Sequence, residues 1–270
     1  MARVRVRGAE LFHEVAGEGE PLVLVHGGLT DHYTWQAVLP ALAESFRVLV
    51  YDRRGHSAST RGAGRGTRRD HEDDLAALLQ TLGFAPAHAV GNSFGASTAL
   101  GLAVRRPDLL RTVVAHEPPL LGVIPRDDPA HILMRAAQDG IDAAVALILA
   151  GEAGEGVRRF MEEVALGPGS WAALPDRVRA TLVANSRAFA AEQSDPGWAN
   201  LDLARLSAYS GRALLTYGTE SLPWLPPVTA ELSRAVRRSE LRSLEGAGHV
   251  PHVSHPEPFV AMVRRFIEAA

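Results

Sequence analysis

Gly91-Asn92-Ser93-Phe94-Gly95 sets a serine between two glycines, where the apolar run Ala87–Val90 gives way to a stretch rich in small residues, Phe94–Arg106. Between a strand and a helix this pattern forms a nucleophile elbow. The turn runs so close to both elements that larger flanking side chains would clash, and the hydroxyl is left exposed at the helix N-terminus. The chemistry that suits it is attack by Ser93 on an electrophilic carbon, with the Phe94 amide aimed where an oxyanion would form. The plainer alternative is a serine that caps a helix. His26-Gly27-Gly28 follows a second apolar run, and the unhindered Gly28 amide is the best candidate for another oxyanion donor. A base is also needed, and position selects among the eleven histidines. Gly246-Ala247-Gly248-His249 follows the last strand pattern, and its glycines let a loop carry His249 back over the sheet edge. His252 and His255 follow at steps of three, but Pro251 and Pro256 break any helix that would align them, and only Glu257 offers a nearby carboxylate. No metal site is expected, and His252 and His255 are expected as polar loop residues.

Composition leaves this chemistry standing while it excludes others. The 270 residues contain no cysteine, and all 28 basic residues are arginine. Disulfides, thiolate metal sites and cysteine nucleophiles are excluded, as are Schiff bases and lysine-dependent phosphate loops. A formal charge of −3 with 46% hydrophobic residues describes an ordinary globule with no bias toward nucleic acid. Arg53-Arg54 and Arg68-Arg69, flanked by Asp52, Asp70, Glu72, Asp73 and Asp74, read as solvated surface.

The elements that must position these residues alternate. Short apolar runs at Leu22–His26, Val48–Asp52, Ala87–Val90 and Thr112–His116 predict buried parallel strands, separated by helices at Tyr33–Ala43, Asp70–Leu82 and Phe94–Arg106. Such alternation implies a parallel sheet covered on both faces. Met1–Arg7 alternates Val with Arg, as an edge strand would, and does not resemble a signal peptide; no run is long enough to span a membrane. A cytoplasmic protein is expected. From Pro118 to about Arg205 the rhythm breaks into helical patterns, His131–Gln138, Ile141–Leu149, Val157–Ala165 and Arg177–Ala191, with no convincing strand. Strands resume at Ala213–Tyr217 and Glu240–Leu244 around a helix near Val228–Val236, and a last helix covers Pro256–Glu268. Arg61–Gly66 is rich in Gly and Arg but too short for a linker.

Leu22–Gly28, Tyr51-Asp52-Arg53-Arg54-Gly55-His56-Ser57, Gly91–Gly95 and Gly248-His249 together resemble the α/β-hydrolase superfamily over nearly the whole chain apart from the helical insertion. The resemblance implies an α/β fold: a mostly parallel, doubly wound sheet built from residues 1–117 and 206–270, with residues 118–205 as a helical cap. It also implies Ser93 as nucleophile, His249 as base, the Gly28 and Phe94 amides as oxyanion hole, and no cofactor. The acid departs from the commonest pattern. Most members place an Asp three residues after the glycine that ends the penultimate strand, where Gly218-Thr219-Glu220-Ser221 has a serine, with Glu220 one residue early. Some haloalkane-dehalogenase-like members instead take the acid from the strand after the elbow helix, here Val113–Pro119, which offers Glu117. Glu117 is favoured over Glu220, with a rim carboxylate before the Pro-Pro turn as the plainer role. Haloalkane dehalogenases and epoxide hydrolases resemble this scaffold but attack with an aspartate, so Ser93 points to acyl transfer.

An ester or lactone of a small, largely apolar molecule is the expected substrate, met by an aromatic-rich lid to which Met134, Phe160, Met161, Trp171, Phe189 and Trp198 belong. His32, Trp35, Trp171 and Trp198 are the candidate substrate-binding residues, although most such aromatics would equally serve to pack the insertion. The same fold hosts lyases, cyclases and cofactor-free oxygenases that use a Ser/His pair for proton transfer, and binding proteins related to it, so both remain rival readings. The expected partner is a small molecule, with no nucleic acid or membrane, in a monomer or homodimer.

Overall fold

The computed structural model describes residues 2–62 and 64–269. Met1, which opens the Val/Arg alternation, and Ala63, within Arg61–Gly66, lie outside them. Eight strands, β1 (Ala2–Val6), β2 (Ala9–Ala16), β3 (Glu20–Val25), β4 (Phe46–Tyr51), β5 (Ala87–Asn92), β6 (Leu110–His116), β7 (Arg212–Gly218) and β8 (Ser239–Leu244), form one sheet. Their order is β1-β2-β4-β3-β5-β6-β7-β8. The pairs β1–β2 and β2–β4 are antiparallel and the rest are parallel.

Both faces of this sheet are covered, which is why its strands read as continuous apolar runs. Side chains alternate across the pleat: Val23, Val25, Leu49, Tyr51, Ala89, Val113 and Leu215 enter one core, while Leu22, Leu24, Val48, Val50, Val90, Val114 and Leu214 enter the other. Helices α1 (Leu39–Ala43), α2 (Arg68–Thr81) and α3 (Phe94–Arg105) connect the first strands. Leu75, Leu78 and Ala99 of α2 and α3 pack in the first core, and Leu42 of α1 packs in the second. Helix α2 opens on a Thr67/Asp70 capping box, which satisfies backbone donors of its first turn.

Between β6 and β7 the described residues contain helices and no strand: α4 (His131–Leu149), α5 (Ala153–Phe160) continuing into a π-helical turn at Met161–Ala165, α6 (Ser170–Ala173), α7 (Asp176–Ala184), α8 (Ser186–Gln193) and α9 (Leu203–Ser207). Ile148, Val157, Met161, Leu182 and Phe189 form a core of this segment's own, joined by Leu29 from the turn after β3. After β7 come α10 (Leu225–Ala235), α11 (Pro251–Ser254) and α12 (Pro256–Glu268).

Four expected helices are drawn differently. Tyr33–Ala43 is a 3-10 turn at His32–Trp35 followed by α1, because Pro40 in the first turn of α1 keeps Leu39 from continuing an earlier helix. The two helices expected around Gly140 are one, α4; a Cβ at Gly140 would stand 2.8 Å from Val164 Cγ2, so the glycine admits a neighbour and does not end the helix. Arg177–Ala191 divides into α7 and α8 at Asn185, whose side chain donates to Leu29 O at 3.0 Å and accepts from Ser57 N at 2.8 Å. No helix among the described residues is long and apolar enough to cross a membrane.

Candidate active site

The turn from β5 into α3 holds Ser93 at φ 55°, ψ −125°, in a region that L-residues rarely enter. The strain is stabilised by close packing. A Cβ at Gly91 would lie 2.6 Å from the Ala96 backbone, and one at Gly95 would overlap the carbonyls of Val25 and His26. Ser93 N–H donates to His116 O at 2.9 Å, and its side chain makes no capping bond, which removes the plain cap as its role. The His26–Gly28 turn lies against it: a Cβ at Gly27 would be 3.3 Å from Ser93 Cβ. At the first position of α3 the Phe94 amide is one of the donors that a helix leaves unpaired.

Glu117 follows β6 with φ 47°, held by its N–H to Thr216 O at 3.0 Å. Its buried carboxylate accepts from Gly218 N through Oε1 at 2.8 Å and meets His249 Nδ1 through Oε2 at 2.6 Å. Burial pushes the Glu117 carboxyl up, but the hydrogen bond to His249 and the His116 and His249 rings outweigh it, and its pKa falls to about 2. Asn92 Nδ2 donates to His249 O at 2.8 Å and anchors the histidine loop beside the elbow. A Cβ at Gly218 would collide with Ala247 O, so only glycine lets β7 and this loop cross. Glu220, the other candidate acid, is exposed.

Ser93 and His249 line one narrow cavity of about 40 Å³ together with Gly28, Phe94 and Gln193. Its remaining walls are apolar, chiefly Ile141, Phe160, Val164, Phe189, Trp198 and Trp224. Trp224 escaped the sequence-based candidates; its Nε1 donates to Val164 O at 3.1 Å and joins the start of α10 to the helical segment.

Of the candidate binding residues, Trp198 faces this cavity and the other three do not line it. Trp35 is wholly buried in the second core, stacked 4.2 Å from His252. His252 is correspondingly buried, with Nε2 2.8 Å from Thr34 Oγ1, and is not a solvated loop residue. Trp171 packs against the helical segment's own core. His32 is held 2.7 Å from Asp52 Oδ1, and that carboxylate raises its pKa against the opposing effect of burial. Asp31, His32 and Asp52 lie close enough to share a cation, but Asp52 already accepts from His32 N and Ala58 N, and Asp31 from Tyr33 N.

Arg53 and Arg54 are buried, not solvated. Arg54 pairs through Nε and Nη2 with the two oxygens of Asp74, each at 2.6 Å, while Arg53 meets Glu192 of α8. Charged pairs in an arginine-rich chain give no sign of burial, so these were hidden. A fainter signal existed: Asn185, Phe189 and Glu192 repeat at steps of four and three, which puts the carboxylate on the buried face of α8.

The sequence profile of the alpha/beta hydrolase family matches residues 22–262. The chain belongs to that family. The chain is 29% identical over 93% of its length to a pimeloyl-[acyl-carrier protein] methyl ester esterase of Aeromonas hydrophila, covering 96% of that protein. It is 37% identical to an uncharacterized hydrolase of Bacillus subtilis over 45% of each chain; the first curated relatives are matched over less than half of their length. Its fold superimposes on the enol-lactonase of Burkholderia xenovorans with a TM-score of 0.83, at 22% identity, over 99% of this chain and 100% of that one.

Proposed function

We propose that the protein is a serine hydrolase that cleaves a carboxylic ester or lactone of a small, largely apolar molecule through an acyl-enzyme on Ser93, with residues 118–205 as the cap over the site. The observation that carries this reading is the meeting of a serine at a strained strand–helix turn with a histidine whose Nδ1 is bonded to a buried carboxylate, both on one apolar cavity. His249 Nε2 takes the Ser93 proton as Oγ bonds to the carbonyl carbon, while Glu117 Oε2 accepts the hydrogen bond from Nδ1–H and stabilises the imidazolium. The amides of Gly28 and Phe94 receive the oxyanion. Collapse breaks the bond to the leaving alcohol, which takes the proton from Nε2. Water then repeats the sequence on the acyl-enzyme, giving the acid and restoring Ser93. For a lactone both products are one hydroxy acid. The methyl ester esterase relative and the enol-lactonase neighbour support an ester-type bond, and the cavity walls support an apolar acyl group.

Incubation with a fluorophosphonate tests the reading. One equivalent is expected to attach to Ser93, and Ser93→Ala is expected to lose both label and hydrolysis of short p-nitrophenyl esters. An unlabelled native protein, or an active Ser93→Ala variant, overturns it.

A further inference from the structure

The turn that carries Gly28 is held by side chains whose own anchor lies in the cap. Arg53, wholly buried two residues after β4, donates through Nε to His26 O at 3.1 Å, through Nη2 to Gly27 O at 2.8 Å and through Nη1 to Glu192 Oε1. His56 Nε2 lies 3.0 Å from Gly28 O, and His71 Nε2 lies 3.1 Å from Glu192 Oε1. Glu192 Oε2 has no hydrogen-bond partner among the described residues and would stand 3.7 Å from a Cβ at Gly28. All four side chains are buried.

Peptide geometry gives this cluster its consequence. The Gly27 carbonyl and the Gly28 N–H belong to one planar trans unit and point in opposite directions. Fixing the Gly27 oxygen on Arg53 therefore fixes where the Gly28 N–H points, and the cationic partner polarises the peptide so that the N–H donates more strongly. The same guanidinium lies 5.0 Å over the ring of Phe94, the residue that carries the other donor. Stability alone does not explain such a pair, because desolvation offsets the attraction of buried charges.

We propose that Glu192 of the cap is a positioning residue of the oxyanion hole: through Arg53 it orients the Gly28 amide, so that the hole is complete only while the cap is seated. The proposal rests on the serine hydrolase reading, but its geometry can be tested apart from catalysis. Gly27-Gly28 is the one Gly-Gly pair in the chain. In protein labelled with 13C,15N-glycine, Gly28 is thus the single amide coupled to a labelled preceding carbonyl. Glu192→Gln is expected to move that resonance, and to lower kcat for p-nitrophenyl esters per fluorophosphonate-titrated site by about 10–100-fold with KM within about twofold. Affinity for a trifluoromethyl ketone, whose adduct presents an oxyanion, is expected to weaken by the same factor as kcat/KM. Arg53→Met/Glu192→Met removes both charges together, leaves neither unpaired if the single variant does not fold, and is expected to show the same losses. An unmoved Gly28 resonance, or wild-type kcat per titrated site in either variant, overturns the proposal. A moved resonance in a protein that neither labels at Ser93 nor hydrolyses esters instead overturns the hydrolase reading and leaves the tether standing.

Discussion

Glu117 reaches His249 from the strand after the elbow helix: its carboxylate is buried and bonded at 2.6 Å, whereas that of Glu220 is exposed. Glu117→Gln is expected to lower kcat by about 10³–10⁴-fold, as loss of the orienting acid does in serine triads, while Glu220→Gln stays within about twofold. Ester hydrolysis by the two variants checks this, and the reverse order would reassign the acid. Ser93 was legible because Gly91 and Gly95 mark close approaches that no other residue permits, and His249 and the Gly28 turn because glycines follow a strand pattern at each. Arg53 and Glu192 were not, because they meet across 139 positions of sequence and either alone looks like a surface charge.

Among the elements, parallel strands showed in the sequence because burial on both faces leaves uninterrupted apolar runs. Strand β2 did not, since its exposed Glu14 and half-buried His13 blur the pattern of an antiparallel strand near the sheet edge. Helix α4 reads in the sequence as two, ending at Gln138 and restarting at Ile141, yet Gly140 between them serves packing against Val164. Gly140→Ala therefore sets about 1 kcal/mol of helix propensity against overpacking of about 1–3 kcal/mol, and denaturant titration is expected to show net destabilisation. Trp198 closes one wall of the cavity. Trp198→Ala is expected to shift kcat/KM toward longer p-nitrophenyl acyl chains, even as it lowers stability by about 3–5 kcal/mol; an unchanged chain-length profile would remove Trp198 from the acyl site.

For the whole molecule, buried imidazoles set the acid limit. Burial holds His26, His71 and His252 well below the ordinary histidine pKa and brings His56 to about 3 and His116 to about 4. The unfolded chain binds these protons below about pH 6.5 while the folded one does not, so each imidazole lowers stability as the pH falls below about 6.5. Glu117, depressed to about 2, adds its own loss only below about pH 4.3. His32, raised by Asp52, works in the opposite sense: its contribution is present below about pH 6.5 and is lost as pH rises through its folded pKa. Thermal unfolding is expected to drop from near pH 6.5 downward, whereas a midpoint flat to pH 4.5 would mean that these rings are protonated in the fold. The sheet, the helical insertion and their order were legible from periodicity; the polar seam joining them was not, because it is made of contacts between distant segments. The central claim is an acyl group on Ser93. Rapid quenching during p-nitrophenyl ester turnover, followed by peptide mass analysis, is predicted to show the acyl mass on the peptide carrying Ser93 with a p-nitrophenol burst of one equivalent; turnover with that peptide unmodified and no burst would contradict it.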